Sequence, residues 1–187
     1  MLGAVLGHES EQVLRNASLF SHDARQFAGD REDFDDAARG FIATLPDVTF
    51  RNPEGRVIFS LKDYAFLAHE QVPDTVNPSL WRQARLNMNN GLFQVTDRIY
   101  QVRGFDISNM TIIEGRRGLI IIDPLVSTEV AAAALELYCA HRGRKPVTAV
   151  IYTHTHVDHF GGVRGVVDEA DVKAGNVAII APDKFME

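Results

Sequence analysis

His154-Thr155-His156-Val157-Asp158-His159 sets three imidazoles and a carboxylate within six residues, and Gly161-Gly162 follow closely. Neutral imidazole is a ligand for zinc, iron or nickel, and a carboxylate adds negative charge that suits a divalent ion. No cysteine stands nearby, so the pattern is not that of a thiolate-closed structural zinc knot. The run Val147-Thr148-Ala149-Val150-Ile151 just before it is apolar and rich in β-branched residues, which predicts a buried strand. If the chain stays extended past that strand, His154 and His156 point to one side, because alternate side chains share a face. Asp158 and His159 then fall on the following turn and face a second point. The spacing predicts a centre for two metal ions rather than a polar loop whose histidines merely cap a strand. The glycine pair predicts the turn into the next element.

His154-Thr155-His156-Val157-Asp158-His159 resembles the signature of the metallo-β-lactamase superfamily of dinuclear hydrolases. The flanks resemble one branch of it. Gly104-Phe105-Asp106-Ile107-Ser108-Asn109-Met110-Thr111, Ile122-Asp123-Pro124 and Ala149-Val150-Ile151-Tyr152-Thr153-His154 are similar to the alkyl sulfatases, zinc enzymes that hydrolyse primary alkyl sulfates such as dodecyl sulfate. The likeness runs from about Asp30 onward. It implies two Zn2+ per active site, with His154 and His156 on the first and Asp158 and His159 on the second. It also implies hydrolysis to alcohol and sulfate by metal-activated hydroxide, since a bound ion lowers a water's pKa from about 15.7 to roughly 7. Asp158 gains a catalytic role as well, orienting that hydroxide.

Asp123 follows the aliphatic run Leu119-Ile120-Ile121-Ile122 at a strand end, where an ionised group costs several kcal/mol unless paired. The resemblance implies that it hydrogen-bonds a motif histidine or the motif loop, fixing tautomer and ring angle; the alternative is a turn-forming Asp before Pro124. Asn109 is a second candidate for orienting the region, or a polar strand-edge residue. Each ion needs a further protein ligand, and no histidine follows His159. In the alkyl sulfatases the remaining ligands are carboxylates and a His further along, and the sulfate-binding groups lie there too. A His commonly stands there at the position of Asn90, a departure in this chain.

Two rival readings stay open. One is another hydrolase of the same fold, acting on a thioester, a lactam or a phosphodiester. The other is a non-catalytic domain that keeps the half-site as a metal-binding remnant.

The chain's 187 residues suffice for a domain with a real core, and 45% hydrophobic with 24% charged residues is ordinary for a globular protein. A net charge of −6 offers no basic patch for nucleic acid. No run is long enough for a membrane span. Met1–Gly7 is apolar but lacks a cationic start, a poor signal peptide, so the compartment is left open. Cys139 is the single cysteine, which rules out an intrachain disulfide; a small hydrophobe on a helix is the better reading than a reactive thiol.

The elements that must position the motif follow from patterning. Glu9–Phe20 predicts a modest amphipathic helix. Asp30 predicts the cap of a second, with Phe34, Ala37, Ala38, Phe41, Ile42 and Leu45 on one face and Pro46 as its end. Arg56–Leu61 reads as a strand after the turn Asn52-Pro53-Glu54-Gly55, and Asn77-Pro78 starts a helix to about Met88. From Leu92 the pattern is a meander of strands at 93–95, 99–102, 110–113 and 119–122. A helix over 129–141, capped by Ser127 or Thr128, leads to the motif strand in a parallel βαβ unit. A helix over 162–172 and a strand over 177–181 repeat the alternation. The expected fold is α/β, a partial αββα metallo-β-lactamase sandwich preceded by an N-terminal helical extension. Residues 1–90 are the extension and 91–187 the first half of a truncated metallo-β-lactamase-like domain. By that reading the chain is an N-terminal portion of a longer enzyme, inactive alone, whose full-length form is a homodimer acting on a small alkyl sulfate.

Overall fold

The computed structural model describes residues 31–186, so the helix expected over Glu9–Phe20 and the Asp30 cap lie outside the described residues. The chain divides into two compact units. Among the described residues, one takes in 31–38 and 65–89, the other 39–64 and 90–186.

In the first unit, α1 (Glu32–Ala38) and α2 (Pro78–Leu86) are the helices among the described residues. The start of α2 is as expected: the Asn77 side chain accepts from the Ser79 N–H at 2.8 Å, with Pro78 at the first position. Trp81 is buried on α2 against Phe66, and its Nε1–H donates to the His69 carbonyl. It packs, and carries no ligand chemistry.

The second unit is built on a seven-stranded sheet in the order β1-β4-β5-β6-β7-β8-β9. The strands are β1 (Phe41–Ala43), β4 (Gly91–Thr96), β5 (Ile99–Arg103), β6 (Met110–Glu114), β7 (Leu119–Ile122), β8 (Val147–Ile151) and β9 (Ala178–Ile180). From β1 to β7 neighbours run antiparallel, and β7, β8 and β9 are parallel. The meander and the crossover through α3 (Thr128–Arg142) are as the patterning predicts. Ser127 caps α3 by accepting from the Val130 N–H, and Gly143, at φ 83, ends it. Strand alternation and the apolar face of α3 make the core. Tyr100, Val102, Met110, Ile112, Leu119, Ile121 and Val150 are fully buried together with Ala131, Ala134 and Tyr138 of the helix. Cys139 sits at the edge of this core, and burial pushes its thiol above the ordinary range, so it is a packed, protonated side chain.

Three expectations change. The second helix stops at Ala38, because Gly40 takes φ 74 and lies so close to β4 that a Cβ there would stand 2.1 Å from the Gln94 carbonyl oxygen. Phe41 and Ile42 therefore belong to strand β1, so the unit that carries the motif reaches back across residue 90 to include residues 39–64. A two-stranded sheet of β2 (Thr49–Arg51) and β3 (Val57–Ser60) lies in this stretch; only β3 is signalled by pattern. The helix expected over 162–172 is instead a short 3-10 turn at Val163–Gly165 followed by α4 (Glu169–Lys173). The glycines there serve close approach rather than helix or turn. A Cβ on Gly162 would stand 2.1 Å from the Pro124 oxygen and one on Gly165 2.2 Å from the Thr128 oxygen, so this segment lies flat on the start of α3.

At the opposite end of the sheet from the motif, Glu114 ties β6 to α3. Its carboxylate accepts from the Tyr138 hydroxyl at 2.7 Å and pairs with Lys145 at 3.0 Å and Arg142 at 3.5 Å. Burial alone would raise the Glu114 carboxyl; these three partners outweigh it and hold it below its ordinary value of 4.5. Glu114→Gln should therefore cost about 2 kcal/mol of unfolding free energy at pH 7. The contribution is present above the ordinary carboxylate range and lost as pH falls through the lowered folded value. Urea titrations of both forms should thus show a gap at pH 7 that closes in acid. A gap of the same size at pH 3 would show that the charge is not what matters.

Candidate metal centre

Parallel β7 and β8 end at the same edge of the sheet, with Ile122 paired to Ile151, so Asp123 and the motif emerge side by side. The Asp123 N–H donates to the Ile151 carbonyl at 3.0 Å, and its backbone turns to φ 53, a left-handed value that Asp tolerates better than most residues. That turn aims its carboxylate into the base of the motif, where it is buried. Oδ1 accepts the Thr153 N–H at 2.8 Å; Oδ2 accepts the Thr153 hydroxyl at 2.6 Å and stands 2.8 Å from His159 Nδ1. Asp123 is thereby bonded both to the backbone and hydroxyl of Thr153 and to the His159 ring.

This network assigns the histidine protons. The single hydroxyl proton of Thr153 goes to Asp123, so the same oxygen, 2.9 Å from His154 Nδ1, accepts a proton from that ring. His154 keeps its lone pair on Nε2. His159 gives its Nδ1–H to Asp123 and likewise keeps Nε2 free. Each free nitrogen faces a partner: His154 Nε2 lies 3.2 Å from His156 Nδ1, and His159 Nε2 lies 3.1 Å from Asp158 Oδ2. The His154 and His159 rings are neighbours, with centroids 4.0 Å apart, so the two pairs sit side by side.

A shared proton or a bound metal ion satisfies each of these pairs. Zinc holds nitrogen and oxygen donors at about 2.0–2.2 Å in a tetrahedron, which sets two donors of one ion roughly 3.3 Å apart. Both pairs fit that bite. His154, His156, Asp158 and His159 are thus all brought together. Among the described residues no group of three or more His, Cys, Asp or Glu side chains gathers in metal-holding geometry.

Asn109 is exposed, and the tie from its loop to the motif comes from its neighbour. The Ser108 hydroxyl donates to the Asp158 carbonyl at 2.6 Å. Asp106 accepts the Ser108 N–H at 2.8 Å and the Val126 N–H at 2.9 Å. Burial raises the Asp106 carboxyl above its ordinary range, opposed by those two N–H donors. Sequence reasoning misses Thr153, Ser108 and Asp106 as functional residues; the one local signal is Asp-x-Ser, the spacing of an Asx turn. Asn90 accepts from the Thr44 hydroxyl at 2.5 Å.

The family described as the metallo-beta-lactamase superfamily matches residues 103–187. An alkyl/aryl-sulfatase of Saccharomyces cerevisiae is 60% identical over 84% of this chain, and a linear primary-alkylsulfatase of a Pseudomonas species is 59% identical over the same share. Residues 103–187 are thus a metallo-β-lactamase superfamily segment. An (R)-specific secondary-alkylsulfatase of Pseudomonas is 50% identical over 98% of the chain. In structure, the stereoselective inverting sec-alkylsulfatase Pisa1 of Pseudomonas superposes with a TM-score of 0.79 at 55% identity, over 84% of this chain and 25% of that one. The chain spans about a quarter of the length of the curated relatives it matches. That superfamily is a metal-binding one.

Asp123→Asn keeps the size of the side chain but cannot accept all three protons. Metal affinity, measured by competition with a chromophoric chelator, should fall roughly 10–100-fold. Unchanged affinity would remove Asp123 from the orientation of His159.

Proposed function

We propose that the gene's full-length product hydrolyses alkyl sulfate esters at a centre of two zinc ions. This chain supplies His154 and His156 to one ion and Asp158 and His159 to the other. The observation that carries the reading is the pair of matched bites, 3.2 and 3.1 Å, with the histidine tautomers set by Asp123 and Thr153. Likeness to alkyl sulfatases at 50–60% identity supports the substrate class.

Zinc, when bound, supplies Lewis acidity that makes a water acidic enough to be hydroxide near neutral pH. The chain's own residues do the arranging. Asp123 holds His159 with Nε2 outward, and Thr153 holds His154 the same way. Asp158 is the catalytic residue: one carboxylate oxygen turns to the His159 pair and the other can accept from the attacking water. Tyr152, Phe160 and Phe185 pack on one another with ring centroids 5.3–5.9 Å apart, an apolar wall flanking the motif. Pisa1 is an inverting sulfatase, and this likeness supports attack at carbon here too. In that step the hydroxide oxygen bonds the alkyl carbon, the carbon–oxygen bond to sulfate breaks, and sulfate leaves with the electron pair. The reading extends to a homodimeric product that takes linear primary chains such as dodecyl sulfate, the latter supported by likeness to a linear primary-alkylsulfatase. Among the described residues no helix is long and apolar enough to cross a membrane.

Hydrolysis of dodecyl sulfate in 18O-water should place the label in the alcohol and none in the sulfate. Chelation should abolish turnover, Zn2+ should restore it, and His156→Ala should lower kcat/KM more than about 100-fold, beyond the cost of losing an outer partner. Faster turnover of a thioester or a nitrocefin-type lactam than of any alkyl sulfate would overturn the assignment. Turnover of 2-octyl sulfate in preference to dodecyl sulfate would move it to secondary esters.

A further inference from the structure

Asp158 and His159 are adjacent, so a single peptide plane joins the two donors assigned to one ion. The direction of the Asp158 carbonyl fixes ψ of Asp158 and φ of His159 together, and with them the angle between the two side chains. That carbonyl receives the Ser108 hydroxyl at 2.6 Å from across 50 residues of sequence. Ser108 is itself buried, 7% exposed, with little water to replace the bond. Its loop is anchored at both carboxylate oxygens of Asp106, Oδ1 on the Ser108 N–H and Oδ2 on the Val126 N–H. Val126 closes the ring: its carbonyl lies against Gly161, where a Cβ would stand 2.2 Å away. The loop between β5 and β6, the loop between β7 and α3 and the motif turn are thereby clamped into one piece. His154 precedes this clamp and is held through Thr153 and Asp123, while the His156 carbonyl accepts the His159 N–H at 3.0 Å.

We propose that Ser108, anchored by Asp106, is a positioning residue that sets the Asp158–His159 bite and so tunes one metal position independently of the other. The inference rests on the two-ion reading above. A clamp that merely stabilised the fold would loosen both pairs alike; the Ser108 bond acts directly on the carbonyl between the second pair of donors.

The test is stepwise Zn2+ affinity in the full-length product, read by competition with a chromophoric chelator for the parent, Ser108→Ala and Asp106→Asn. Apo-protein melting is recorded alongside to show that each variant folds. The parent should bind two equivalents. Ser108→Ala should weaken one of them about tenfold and the other less than about twofold, with the apo melting transition still cooperative. Asp106→Asn, which cannot accept at both oxygens, should reproduce the selective loss. Equal weakening of both equivalents, or parent-like affinities in a folded Ser108→Ala, would overturn the positioning role while leaving the metal pair intact. A parent that binds fewer than two equivalents would overturn the two-ion reading and this inference with it.

Discussion

One buried carboxylate organises the metal edge of this chain. Asp123 stands where parallel β7 and β8 run out, and its two oxygens take up three donors from the motif. A carboxylate so far from water is costly alone and favourable when donors take up both of its oxygens. The arrangement couples fold to chemistry, because the bonds that satisfy Asp123 are the same bonds that fix which nitrogen of His154 and His159 carries the proton. The chain accepts local strain around it. Both Asp123 and the fully buried Leu125 adopt left-handed φ, at 53 and 65, which a branched side chain rarely does. The Leu125 carbonyl in turn takes the Gly162 N–H at 2.9 Å, so the strained corner is pinned by the segment that follows the motif.

What sequence makes legible is local. The βαβ unit, the Ser127 and Asn77 caps and the four-strand meander each announce themselves within a dozen residues, through alternation, β-branching or a capping side chain. The proximity of the four candidate donors is legible because their spacing along a strand tip leaves few ways to point. What escapes is long-range. Strand β1 has three residues and exists because β4 pairs with it; by pattern alone Phe41 and Ile42 read as one face of a helix. Gly161, Gly162 and Gly165 carry no mark to tell a turn from close approach to α3. The Ser108 bond to Asp158 joins residues 50 apart, and no local rule predicts it.

The two faces of the sheet differ in burial. Tyr100, Ile112 and Ile121 are buried on the face covered by α3, while the alternate positions Ile113, Ile120, Ile122 and Ile151 remain partly exposed. Alternation puts those four on the opposite face. The two matched donor pairs lie at the end of the strands, as sites in open α/β sheets do. Two donors from this chain do not complete a zinc tetrahedron, and the relatives are about four times as long.

The assignment of this edge depends on two cations occupying two separate bites. Diffraction from zinc-loaded crystals of the full-length product, collected on either side of the zinc absorption edge, addresses that directly. Two anomalous peaks are expected, one shared by His154 Nε2 and His156 Nδ1, the other by Asp158 Oδ2 and His159 Nε2. A single peak drawing on all four side chains, or peaks that avoid them, would contradict the two-ion centre.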